Sequence, residues 1–249
     1  MFLQLFISPD VSEILQHEFF KKPVASAFPD KHTDEIVNLI LNAKSLKQVT
    51  DYFIEYPHRH SLAIDAVSTK NFMSPLTAAA ENGIISILKW VLEKGANIDL
   101  KDSKQETALF IATRNANLQI VQFLLRRGAN VKIKNQDSQF TPLHQSVLLG
   151  NYEIAIELIN YKAIIDSKNS EQSTPLTVAC GVNNTRMALL LLSYYADGFS
   201  ENLFLLRPID LAVKNGMAGV VEEMLDFHHD VIDLDKPNGR GLTLMFFAW

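Results

Sequence analysis

The sequence predicts an all-α solenoid: helix-turn-helix units joined by short hairpin loops, stacked side by side behind an irregular helical N-terminal cap. Three observations predict it. Thr141-Pro142-Leu143 recurs as Ser74-Pro75-Leu76, Thr107-Ala108-Leu109, Thr174-Pro175-Leu176 and Arg207-Pro208-Ile209, so the third residues step by 33, 34, 33 and 33. A second marker, Gly95-Ala96-Asn97, keeps the same phase through Gly128-Ala129-Asn130, Lys162-Ala163-Ile164, Tyr195-Ala196-Asp197 and His228-His229-Asp230. Between the markers, apolar residues fall at helical spacing. A fixed period of this length means one small unit used repeatedly, each unable to bury its apolar side without the next.

Taken in chain order, Ile14, Leu15, Phe19 and Phe20 predict a helix over residues 9–20. Thr33-Asp34-Glu35 predicts a capped helix carrying Ile36, Val37, Leu39, Ile40 and Leu41, and Ser45 a second carrying Val49, Phe53 and Ile54. This pair reads as a decayed unit, and residues 1–70 as the cap over the first regular one. No nucleophile, base and orienting group occur together there. Residues 71–249 hold five units and the start of a sixth.

Within a unit, Thr107 caps the first helix through its hydroxyl. Pro75, Pro142, Pro175 and Pro208 suit a first turn, where the amide needs no intrahelical partner. This helix is expected to run about ten residues, through Ala112. Small residues at Ala79, Ala112, Ser146, Ala179 and Ala212 let neighbouring helices approach. The second helix carries Leu118, Val121, Phe123, Leu124 and Leu125, with counterparts in Ile85, Leu88, Val91 and Leu92 and in Met187, Leu190, Leu191 and Leu192. Trp90 takes the place of Phe123 and reads as core, with an exposed convex contact as the alternative. Gly95 and Gly128 suit a left-handed helix end. Lys162, Tyr195 and His228 replace that glycine, so the later units are expected to end their helices differently, because a β-carbon disfavours the conformation.

Thr141-Pro142-Leu143-His144, Gly150, the run Ile120-Val121-Gln122-Phe123-Leu124-Leu125 and Gly128-Ala129-Asn130 together resemble the ankyrin-repeat family over residues 71–249. The resemblance implies a protein-binding scaffold without catalytic residues or cofactors. It also implies that His144 ties loops together by hydrogen bonds. The family's glycine two residues before the threonine is here Gln105, Gln139 and Gln172, and returns as Gly241; the spacing gives no physical reason for the glutamines. Composition adds a weaker likeness to ankyrin proteins of intracellular bacteria that act inside a host cell.

At the C-terminus, Gly241-Leu242-Thr243-Leu244-Met245 begins a sixth unit after a step of 36 from Ile209 to Met245. The chain stops at an apolar surface in Trp249. Further residues beyond it are the expectation, with a short cap or self-association through this end as alternatives.

The composition is 47% apolar and 20% charged, that of a folded protein. A net charge of −5 disfavours general nucleic-acid binding. One cysteine, Cys180, excludes an internal disulfide framework and favours a reducing, cytoplasmic setting. An ankyrin effector would instead be exported by a bacterium into host cytoplasm. The first ten residues lack a basic lead and meet Asp10, unlike a signal peptide, and no apolar run approaches the ~20 residues that cross a bilayer.

Chemistry-bearing clusters are few. His58 and His60, and His228 and His229, lack the further ligands of a metal site. Cys180 with His144 suggests a nucleophile and base, but each falls at a structural position of the repeat. Asp233-Leu234-Asp235 reads as a loop. No glycine-rich phosphate cradle occurs. The candidate partner face is formed by the hairpins and the ends of the first helices. It comprises Met73, Arg114, Phe140, Leu148, Leu149, Val182, Leu206 and Lys214, several of them apolar where the pattern exposes them. The expected function is non-enzymatic capture of another protein on that face. The alternative is a targeting segment of a larger enzyme or translocated effector.

Overall fold

The computed structural model describes residues 31–55, 64–226 and 237–247, and every regular element among them is a helix. An opening pair, α1 (Lys31–Asn42) and α2 (Leu46–Glu55), precedes five regular pairs. These are α3 (Pro75–Asn82) with α4 (Ile85–Glu93), α5 (Ala108–Arg114) with α6 (Leu118–Arg126), α7 (Pro142–Leu148) with α8 (Tyr152–Asn160), α9 (Pro175–Gly181) with α10 (Thr185–Ser193), and α11 (Pro208–Lys214) with α12 (Ala218–Asp226). A one-turn helix, α13 (Leu244–Phe247), follows. The expected helix over residues 9–20, both histidine pairs and the Asp233–Asp235 run lie outside the described residues.

The caps explain where first helices start. Thr107 Oγ1 accepts the Phe110 N–H at 3.3 Å. Ser74, Thr141 and Thr174 form reciprocal capping boxes with Thr77, His144 and Thr177, each followed by proline at the first helical position. The first helices are shorter than the expected ten residues, at seven or eight. A residue or two after each helix the backbone turns left-handed, at Gly83, Ala116, Gly150, Asn183 and Gly216, and the second helix starts.

Packing follows the period. Leu76, Leu109, Leu143, Leu176 and Ile209 are all buried, as are Ala79, Ala112, Ser146, Ala179 and Ala212. First helices pack on the first helices of adjoining units, and second helices on second helices. The result is one continuous core from Ile36 to Met224. Leu118, Phe123, Ile85 and Leu92 are only half-buried at its margin. Trp90 joins both readings: its ring packs on Phe53 with centroids 4.8 Å apart, and its outer side carries the Lys94 ammonium.

Three expectations are corrected. Thr33 lies inside α1 and is buried, so it is not the cap; Asp34 beside it accepts hydrogen bonds from Ser68 Oγ, from Thr69 Oγ1 and from the backbone of Thr69 and Lys70, fastening the opening pair to the next turn. Ile54 points outward, 74% exposed, while Val49 and Phe53 are buried. Lys162 and Tyr195 adopt φ of 68° and 63°, close to Gly128 at 84°, so these helices end as the glycine-bearing ones do. The amides of Ala163 and Ala196 still reach back to Leu158 and Leu191, and these closing bonds hold the side chains in the disfavoured region.

Candidate partner-binding groove

Each hairpin is built on one side chain. Asp102 Oδ1 accepts the backbone N–H of Lys104 and Glu106; Asn169 does the same for Glu171 and Ser173, Asn202 for Phe204 and Leu206, and Asn238 for Arg240 and Leu242. Asn135 accepts from Phe140, one residue further on, because the inserted residue behind the 34-residue step lies in this hairpin. Two residues before each cap the backbone is left-handed, at Phe72, Gln105, Gln139, Gln172, Leu205 and Gly241. The glutamines therefore occupy the glycine-type corner of the hairpin. Gln139 offsets its strain by donating Nε2 to the carbonyls of Asn135 and Gln136.

Adjoining hairpins are tied to one another. The His144 ring is buried, with Nδ1 2.8 Å from Thr141 Oγ1 and Nε2 3.2 Å from the Ser173 carbonyl in the next unit. Burial pulls its pKa down from 6.5 to about 4. The neutral ring thus carries its proton on Nε2, where only a donor satisfies the carbonyl. Asn202 Nδ2 reaches Ser173 Oγ at 3.1 Å, and Asn238 Nδ2 reaches Asp210 Oδ2 at 3.1 Å. In the fifth regular unit a buried ion pair, Arg207 with Asp210 at 2.8 Å, stands where Thr174 and Thr177 pair in the preceding unit.

Between the third and fifth regular units the hairpins and first helices leave a groove of about 350 Å³. Phe140 and Leu148 form one side, Val178 and Val182 the middle, and Phe204 and Leu206 the other side. Phe140 stacks on His144, with ring centroids 5.2 Å apart, so its position is set by the buried imidazole. Leu203, Phe204 and Leu205 form an exposed apolar hairpin tip at the rim.

Of the eight residues expected on the partner face, this groove brings together Phe140, Leu148, Val182 and Leu206. Phe140 and Leu206 are half-buried rather than open. Leu149 and Lys214 are exposed but do not line it, and Met73 and Arg114 belong to earlier units. Arg114 is engaged within the protein: its guanidinium bonds Glu106 in its own unit and Glu81 in the preceding one, the latter at 2.9 Å. Burial pushes the Glu106 carboxyl up, against the pull of the Arg114 charge. Phe204 and Leu211 were not expected in the groove. The sequence holds a signal for Phe204: Leu203-Phe204-Leu205-Leu206 is apolar throughout, where Ser103-Lys104-Gln105-Glu106 and Ser170-Glu171-Gln172-Ser173 are polar.

A family model described as ankyrin repeats (3 copies) matches residues 25–135 and 132–202. The chain belongs to the ankyrin-repeat family. An ankyrin repeat protein of fowlpox virus (strain NVSL) is 29% identical over 155 residues, which are 61% of this chain and 27% of the viral protein. The chain therefore matches only a minor part of that relative's length. In the ankyrin array, the Cys180 thiol is fully buried and pushed up to about 12 by burial, so it packs as a small apolar group. Among the described residues no three His, Cys, Asp or Glu side chains gather as a metal site, and no helix is long and apolar enough to cross a membrane.

Proposed function

We propose that the protein is a non-enzymatic scaffold that captures another protein by seating an apolar side chain in the groove between Phe140 and Leu206. The observation that carries the reading is the coincidence of a shallow apolar groove with an exposed apolar tip, Leu203 to Leu205, on the hairpin side of the stack. Contiguous exposed apolar surface of this kind is what a protein partner covers. Two further facts support the non-enzymatic part. His144 is committed to Thr141 and Ser173, and Cys180 is buried with its thiol protonated. Neither is available as base or nucleophile.

The test is a comparison of capture and folding. Val182→Asp and Phe204→Asp each place a charge in the groove at positions that bury little of the core. Proteins cross-linked to the wild-type chain in cell extract should be lost from both variants while helical circular dichroism persists. Unchanged cross-linking in both would remove the groove from the function.

A second reading is favoured by the length relationship. The matched relative is several times longer than the matched segment, so the array also fits a targeting segment whose chemistry resides elsewhere in a larger protein, a translocated effector among them. The full reading frame of the gene decides between the two.

A further inference from the structure

The charge of this chain is segregated along the stack. Residues 84–134 hold nine Lys and Arg against four Asp and Glu, a net of +5, within a chain of net −5. Residues 135–226 hold five against eleven, a net of −6. The positive segment spans α4 to α6 and their following turns.

Its exposed cations are not neutralised internally. Lys89, Lys94, Arg126, Arg127 and Lys132 are exposed, and none forms an ion pair among the described residues. Three of them are instead held against aromatic faces. Lys89 Nζ lies 5.3 Å and the Arg127 guanidinium 5.2 Å from the centre of the half-buried Phe123 ring, and Lys94 lies 5.5 Å from that of Trp90. A ring attracts a cation without cancelling its charge. On the next unit, Glu157 accepts a hydrogen bond from Gln122 Nε2 at 2.6 Å, and Glu93, at the end of α4, forms no ion pair among the described residues. Lys89 and Arg127 thus flank one ring, on the second-helix side, away from the groove.

We infer that the second-helix surface around Phe123, with Lys89, Lys94 and Arg127, docks a short acidic segment of a partner protein. It rests on the protein-binding reading but uses a separate face. Charge complementarity argues for carboxylates, and the limited length of the positive band argues for a short segment. A nucleic acid following the stack would run onto the −6 half and be repelled there.

The probe is a fluorescein-labelled decaglutamate peptide, titrated against the full chain at low salt, beside an oligothymidylate of equal length and phosphatidylserine vesicles. The double variant Lys89→Glu, Arg127→Glu should weaken peptide binding at least tenfold. Lys44→Glu, Lys47→Glu makes the same charge change outside the band and should leave binding within about twofold. Phe204→Asp should leave it unchanged, which separates this surface from the groove. Raising salt should abolish peptide binding to the wild-type chain, a readout that holds even if the double variant does not fold. No binding of decaglutamate, equal loss in both double variants, insensitivity to salt, or tighter binding of the oligonucleotide or the vesicles would each overturn the proposal.

Discussion

His144 grips Ser173 across the boundary between two units: its Nε2 lies 3.2 Å from the Ser173 carbonyl while Nδ1 faces Thr141. Protonation would put a second N–H on the ring, opposite the Thr141 backbone N–H 3.3 Å away. The buried site therefore favours the neutral imidazole, and this gives the first prediction.

His144 titrates near 4 in the folded chain and near 6.5 when unfolded, so between these values the unfolded chain binds more protons. Its contribution is fully present above about pH 6.5 and is lost as pH falls toward 4, amounting to about 3 kcal/mol. Threonine fills the equivalent place at Thr77 and Thr177, so His144→Thr should fold. Urea titrations from pH 7 to 4 should show the wild-type chain losing more stability than the variant by about that amount. The buried Asp102 and Glu106, pushed up by burial, act in the opposite sense and cancel in the difference.

Leu124 is fully buried in α6 within the continuous core. Leu124→Ala should cost about 2–5 kcal/mol. An unchanged thermal midpoint would contradict the helix packing described above.

Gln105 and Gln172 hold a left-handed backbone with exposed side chains. Gln105→Gly and Gln172→Gly should each raise stability by roughly 0.5–1 kcal/mol, the relief of β-carbon crowding less the added freedom of the unfolded chain. Gln139→Gly should gain less, because it also removes the two bonds from Nε2 to the loop carbonyls. Chemical denaturation of the three variants gives the ranking.

Carboxylates also clasp successive units: Asp65 accepts the Asn97 N–H, Asp99 that of Asn130 and Asp166 that of Asp197, at 2.8–3.0 Å. The intervening position pairs Lys132 with Ile164, which cannot do this. Lys132→Asp with Ile164→Asn should restore the clasp and stabilise the chain by about 1 kcal/mol, one net hydrogen bond. A double variant no more stable than wild type would show that this boundary is closed in another way.

Removing one partner of the buried pair by Arg207→Ala should cost about 3–5 kcal/mol, because Asp210 is left charged and enclosed. Replacing both by threonine, as at Thr174 and Thr177, should be close to neutral. Equal losses in the two variants would show that the pair itself, rather than the stranded charge, matters.

The repeating elements were legible because their causes are local: a capping hydroxyl, a proline at the first turn, and a leucine stripe at fixed phase. The hairpins were less so. Gln105 and Gln172 break the expected glycine pattern, yet the backbone keeps its left-handed corner, because the Asp102 and Asn169 side chains hold the turn around it. Arg114 read as a free partner contact because Glu81, 33 residues away, meets it only through stacking, and Glu106, 8 residues away, only through the fold of its own hairpin. Half of the expected face converged in the groove, and Phe204 was missed although its hairpin departs from its siblings in plain apolar letters.

Nearly every tie between units, from Asp34 on Ser68 to Asn238 on Asp210, reaches only to the next unit along the chain. Under a pulling force, the described residues hold no clamp spanning the whole stack. It would yield one link after another in small equal steps, and on release each link would find its neighbour already waiting as a template.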